Sequence, residues 1–301
     1  MSAIEEYTYA RRDTGALKLR IFKPTGGTQR QTAVLHLHGG GWRSGAPAML
    51  DPRSRGLSAL GYTVIQVQYR LLDDIVAWPA PVTDLRSALR WVVEHADELG
   101  VRPNAIVLWG HSAGAHICLM TACTVAGGDL DHPDDDRSIP VSIAAVIDCY
   151  GPTSFHSGAT PLLAAGPDGP DFAAIAANQR PDGALPGIDL LAEPCSDDQA
   201  DAISPLTQLS ADFPPTMIVH GTHDTLIRPE NSQRLTDALS RLGVVSELVT
   251  FAECGHEFDA APSYAAVLAA HIDIFLRQVL GDPALAEELY EHSMFRTLNP
   301  R

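Results

Sequence analysis

AIVLWGHSAGAHICLMTACTVAGG, Ala105 to Gly128, is the stretch whose reading decides the fold class. Its first five residues form a short apolar run, as in a strand covered on both faces. The residues from Ala115 onward fit a helix that ends near Gly127. Between them, GHSAG leaves almost no space for a connection. A strand that passes straight into a helix through such a turn thrusts the hydroxyl of Ser112 outward. Gly110 and Gly114 flank the serine where neighbouring backbone leaves no room for a Cβ. The new helix points its N-terminus at Ser112, which favours negative charge developing there. A lone G-x-S-x-G is a weak signal, because small residues cluster in many turns. Its meaning depends on what the rest of the chain can bring to the serine.

A nucleophilic serine needs a base, and the base needs an orienting acid. TMIVHGTHDTLI places Asp224 just past one strand, and SELVTFAECGHEFD places His256 just past the last. The chain order Ser112, Asp224, His256 is the order of a strand–turn–helix serine hydrolase. LHLHGGGWRSG, Leu35 to Gly45, supplies the remaining part. Attack by serine puts negative charge on a carbonyl oxygen, and preorganised backbone N–H groups stabilise it. Gly40, Gly41 and Ala113 are the candidate donors, and His38 braces the loop. Trp42 and Phe155 are candidates to wall the substrate site. His111, beside the serine, is a further candidate for substrate contact, although His111, His116 and His271 also read as structural. The glycines lack the Gly-Lys-Ser/Thr of a phosphate loop and do not fit G-x-G-x-x-G. DLDHPDDDR, from Asp129, lacks the spacing of a calcium loop and reads as a solvated acidic loop. Cys254 reads as a small buried residue.

Further strands are expected at Leu17–Phe22, where the fold opens, and at Thr32–His38, Tyr62–Tyr69, Ile143–Tyr150, Thr216–His220 and Ser246–Phe251. Helices fit 82–100, with Thr83 or Asp84 as its cap, 230–243 and 263–280. Strand–helix alternation implies an α/β protein with a mostly parallel, doubly wound sheet. Residues 155–201 are rich in Gly, Pro and Asp without long periodicity, and read as a lid over the site or as a surface excursion, the lid being the first expectation. The extension 282–301 is expected to pack on the body or on a second subunit, so a homodimer is a candidate assembly.

The chain has 301 residues, 45% of them hydrophobic and 19% charged, enough for one large core. The formal net charge of −16 disfavours nucleic acid and anionic membrane surfaces. Five cysteines without a C-x-x-C argue against a disulfide framework or a zinc site. The first residues do not read as a signal peptide, and no apolar run is long enough to span a membrane. A cytoplasmic protein without metal or cofactor is the expectation.

HGGGW, YRL (Tyr69 to Leu71), GHSAGAH, ISPLTQLSADFPPTMIVHGTHDTLI and CGHEF together resemble the serine α/β-hydrolases. The group is similar to the feruloyl and acetyl-xylan esterases and the kynurenine formamidases, cousins of the hormone-sensitive-lipase group. The resemblance runs from about residue 15 to 280. It implies an α/β-hydrolase fold of about eight strands, with a lid-like insertion after the sixth. It also implies Ser112, Asp224 and His256 as the triad, and a small ester or formamide as substrate. A carboxylesterase is the first expectation, an aryl formamidase the second, and a ligand-binding protein without catalysis the third. The chain departs from the lipase group in carrying His111 where Asp is usual, and in lacking an N-terminal helical cap.

Overall fold

Apolar runs without polar alternation need cover on both faces of a sheet, and the fold provides it. The computed structural model describes residues 4–26, 28–73, 76–127, 129–155 and 197–292. Among them, eight strands form one sheet: β1 (Glu5–Arg12), β2 (Gly15–Phe22), β3 (Ala33–Leu37), β4 (Thr63–Val67), β5 (Ile106–His111), β6 (Ala145–Cys149), β7 (Thr216–Gly221) and β8 (Ser246–Phe251). Their order is β1-β2-β4-β3-β5-β6-β7-β8. The pairs β1/β2 and β2/β4 are antiparallel, and all later pairs are parallel.

The helices are α1 (Asp51–Ser58), α2 (Ala80–Glu94), α3 (Ala96–Leu99), α4 (Ala113–Thr124), α5 (Asp197–Ile203), α6 (Pro205–Gln208), α7 (Glu230–Arg241), α8 (Pro262–Val279) and α9 (Pro283–Glu291). Side chains alternate across a strand, so each strand feeds two cores. Leu35, Ile106 and Leu108 pack with Leu85 of α2, Ile117 of α4 and Leu235 of α7. Val34, Val107 and Trp109 face the other way, onto Leu57 of α1 and Leu268 and Ile272 of α8. No single helix among the described residues is long and apolar enough to cross a membrane.

Three local readings need correction. The fold opens one strand earlier than Leu17, because β1 is held by pairing rather than by an apolar face. It adds an edge to β2, and Tyr9 Oη donates to the Gln68 carbonyl at 2.6 Å. Neither Thr83 nor Asp84 caps α2, since that helix starts at Ala80 and Asp84 lies a turn inside it. Asp84 is instead fully buried and accepts from Arg70 Nε at 2.9 Å and Arg12 Nε at 3.2 Å. The acidic run from Asp129 is not merely solvated. Arg86 and Arg90 sit one turn apart on α2, and both reach Asp131, at 2.6 and 2.7 Å.

Of the segment 155–201, residues 156–196 lie outside the described residues, as do 293–301 of the C-terminal extension. Within that extension, Asp282 accepts from Arg277 Nε at 2.7 Å and from Arg30 Nη1 at 3.0 Å, just ahead of α9.

Candidate active site

β5 delivers Ser112 to the first position before α4, with φ 52° and ψ −120°. Such a conformation costs a non-glycine residue about 1–3 kcal/mol, so its surroundings must hold it. Ser112 N–H donates to the Cys149 carbonyl at 2.9 Å, and the Ser112 carbonyl accepts from His116 N–H at 3.1 Å. The flanking glycines allow the close approach. A Cβ on Gly110 would overlap the Gly114 carbonyl, and one on Gly114 would overlap the carbonyls of Leu37 and His38.

His256 meets this serine although 144 residues separate the two, and Asp224 backs the histidine. His256 Nε2 lies 3.0 Å from Ser112 Oγ, and His256 Nδ1 lies 2.7 Å from Asp224 Oδ2. An ionised carboxylate only accepts, so the proton sits on Nδ1 and the Nε2 lone pair faces the serine hydroxyl. Asp224 Oδ1 accepts the N–H groups of Leu226 and Ile227 at 2.8 and 2.9 Å. His220 Nε2 is 3.2 Å from Asp224 Oδ2. Burial alone would raise the Asp224 carboxyl. The hydrogen bonds from His220 and His256 outweigh it and hold the carboxyl well below the usual range.

The glycine loop lies against the serine. A Cβ on Gly39 would stand 3.0 Å from Ser112 Cβ. Gly40 and Gly41 have φ of 113° and 58°, and at Gly40 a Cβ would also run into Ser44. The loop is pinned by Ser44 N–H to the Gly40 carbonyl at 3.0 Å and by Leu72 N–H to the Trp42 carbonyl at 2.9 Å. His38 braces it through Nδ1–H to the Gly39 carbonyl at 2.7 Å, while Tyr69 Oη holds the His38 carbonyl at 2.8 Å. Ala113 opens α4, and the N–H groups of a first helical turn have no acceptor within the helix.

Trp42 and Phe155 come together, with ring centroids 6.0 Å apart. His116 joins them by accepting from Trp42 Nε1 at 3.1 Å and bonding the Ile203 carbonyl through Nε2 at 2.8 Å. Burial pushes the His116 pKa down to about 4, so the ring is a neutral bracket between the glycine loop and α5.

His111 does not face the substrate side and is corrected here. It shares a strand face with Trp109, two residues earlier, and is only 1% exposed. Its Nδ1 lies 3.2 Å from Asp259 Oδ2 and 2.9 Å from Tyr150 Oη, and its Nε2 lies 2.8 Å from His36 Nε2. With Nδ1 as donor to the carboxylate, His36 must donate to His111, and burial keeps both rings neutral at pH 7.

This network was missed in the sequence. Tyr150 Oη donates to Asp259 Oδ1 at 2.6 Å, and its ring packs edge-on against His256 at 4.7 Å. Arg53 grips both Asp259 oxygens, at 2.9 and 3.0 Å. The one available signal was Asp259 itself, three residues past His256. Its partner on α1 is 206 residues away. Burial would raise the Asp259 carboxyl, but the His111 N–H and the Arg53 guanidinium hold it far below the usual range. His111, Cys149 and Asp259 could geometrically gather round a metal ion. The adjoining Arg53 cation opposes that, and burial keeps the Cys149 thiol protonated. Asp259→Asn should lower the unfolding free energy by about 3–5 kcal/mol, because it strands a buried guanidinium. Urea denaturation measures this, and a loss below about 1 kcal/mol would mean the pair is not structurally important.

The chain matches the BD-FAE family over residues 19–239. It is 27% identical to the probable carboxylic ester hydrolase LipM of Mycobacterium tuberculosis, over 83% of this chain and 54% of that one. To the esterase LipC of the same organism it is 27% identical, over 84% of this chain and 59% of that one. The chain thus spans little more than half the length of these relatives. A solved thermophilic esterase from Thermogutta terrifontis, Est2, superposes with a TM-score of 0.71 at 30% identity, covering 92% of each chain. With most of its length matched, and a solved esterase superposing over 92% of it, the chain belongs to the BD-FAE family and has the α/β-hydrolase fold of the hormone-sensitive-lipase-like esterases.

Proposed function

We propose that the protein hydrolyses esters of short carboxylic acids through an acyl-enzyme on Ser112. The observation that carries this reading is the continuous hydrogen-bonded run from Ser112 Oγ through His256 to Asp224. His256 Nε2 takes the hydroxyl proton as Oγ attacks the ester carbonyl, and Asp224 stabilises the imidazolium that results. The N–H groups of Gly40, Gly41 and Ala113 receive the oxyanion. His256 then passes its proton to the leaving alcohol. Water repeats the sequence on the acyl-enzyme and frees the acid.

Trp42 and Phe155 wall the acyl side, directly beyond the oxyanion loop. In this reading their packing against each other limits the acyl length. The Thermogutta terrifontis esterase has been solved with propionate bound and with butyrate bound, which supports short acids here. The test is kcat/KM for nitrophenyl esters from two to twelve carbons. An open apolar channel would raise it about fourfold per methylene, at ~0.8 kcal/mol each. The expected result is a fall beyond four carbons, with the maximum moving to longer acids in Trp42→Ala or Phe155→Ala. A wild-type maximum at eight or more carbons would sink the short pocket. No turnover on any ester would leave the aryl formamidase and the binding protein, which an aryl formamide substrate then separates.

A further inference from the structure

Glu257 follows the base directly and holds the left-handed conformation, φ 55° and ψ 24°. It is exposed, and its carboxylate has no hydrogen-bond or ion-pair partner among the described residues. It is nevertheless close to the reaction. A Cβ built on Gly39 would stand 3.0 Å from Ser112 Cβ and 3.6 Å from Glu257 Oε1. The bare face of Gly39 thus borders both the Ser112 side chain and this carboxylate.

That placement has an electrostatic consequence. For a neutral ester, a carboxylate here repels the charge growing on the carbonyl oxygen. A positive charge on the substrate removes the conflict and adds an attraction. His256 must reach the leaving oxygen, and the proposal places the alcohol portion on the Glu257 side of that base. We propose that Glu257 sets a charge preference at the active site, favouring esters whose alcohol portion is cationic and disfavouring anionic ones. The inference rests on the esterase reading. The net charge of −16 acts in the same direction at longer range.

Three acetates of similar size test it: 2-(trimethylammonio)ethyl acetate, its neutral isostere 3,3-dimethylbutyl acetate, and anionic 2-sulfoethyl acetate. At low ionic strength, wild type should show a cation-to-neutral ratio of kcat/KM of about ten, the scale for unit charges a few ångströms apart at a wetted surface. Glu257→Gln should bring that ratio towards one and raise turnover of the anionic ester. Glu257→Lys should reverse the order. About 0.5 M salt should compress the ratio in wild type far more than in Glu257→Gln; equal compression in both would assign the salt effect to the net charge alone. If the neutral ester is hydrolysed but the three rates keep their order in both variants, the charge preference is overturned and the esterase stands. If no ester is turned over, both readings fall.

Discussion

Ser112→Ala is expected to lower kcat by about 10⁶ while the fold survives. The loss is that large because Ser112 Oγ, 3.0 Å from His256 Nε2, is the atom proposed to attack the ester, and alanine leaves His256 nothing to deprotonate there. Removing it leaves the N–H groups proposed to hold the oxyanion, and in a comparable triad enzyme that remainder retains about 10³–10⁴ over water. The backbone that presents the serine depends on its N–H bond to Cys149, its carbonyl bond from His116 and the flanking glycines, none of which involves the hydroxyl. Circular dichroism and melting temperature should therefore stay near wild type while nitrophenyl acetate turnover disappears. Near wild-type turnover in the purified variant would show that another group attacks the ester.

Asp224→Asn should lower kcat by about 10⁴ and change KM far less. Asparagine would present an N–H₂ group to His256, so the ring would protonate on Nε2 and lose its lone pair towards Ser112. The carboxylate also has a stability role whose sign follows from its depressed pKa. A carboxyl held lower in the folded state than in the unfolded one contributes stability above the unfolded value, about 4, and loses it as pH falls further. Asp224 and Asp259 are both of this kind. Wild type should therefore lose urea stability steeply below about pH 4, and Asp224→Asn should flatten part of that slope. A variant that lost activity only through a raised KM would place Asp224 in substrate binding instead.

The sequence by itself determined the sheet and the three residues that meet at its edge. Val34, Leu35, Val107 and Leu108 lie in unbroken apolar runs because helices cover both faces, and covered strands read plainly. Ser112, Asp224 and His256 were legible because a parallel sheet brings the C-terminal ends of its strands to one side, so position after a strand stands in for position in space. The glycine loop beside Ser112 was legible for the same reason, and because three glycines are costly to order without cause.

Tertiary structure alone decided the rest. β1 carries no apolar face to announce it, and its hydrogen bonds to β2 exist only once the chain has turned back. Asp84 and Asp131 carry no signal of their partners in sequence, and the arginines that meet them in the fold make them anchors. His111 sits beside the nucleophile in sequence, yet strand alternation turns it to the opposite face, where Asp259 and Arg53 wait from distant segments. Local pattern encodes which face a residue takes and where an element ends. Which charge lies opposite a buried polar group depends on chain segments up to 206 residues apart, and only packing brings them together.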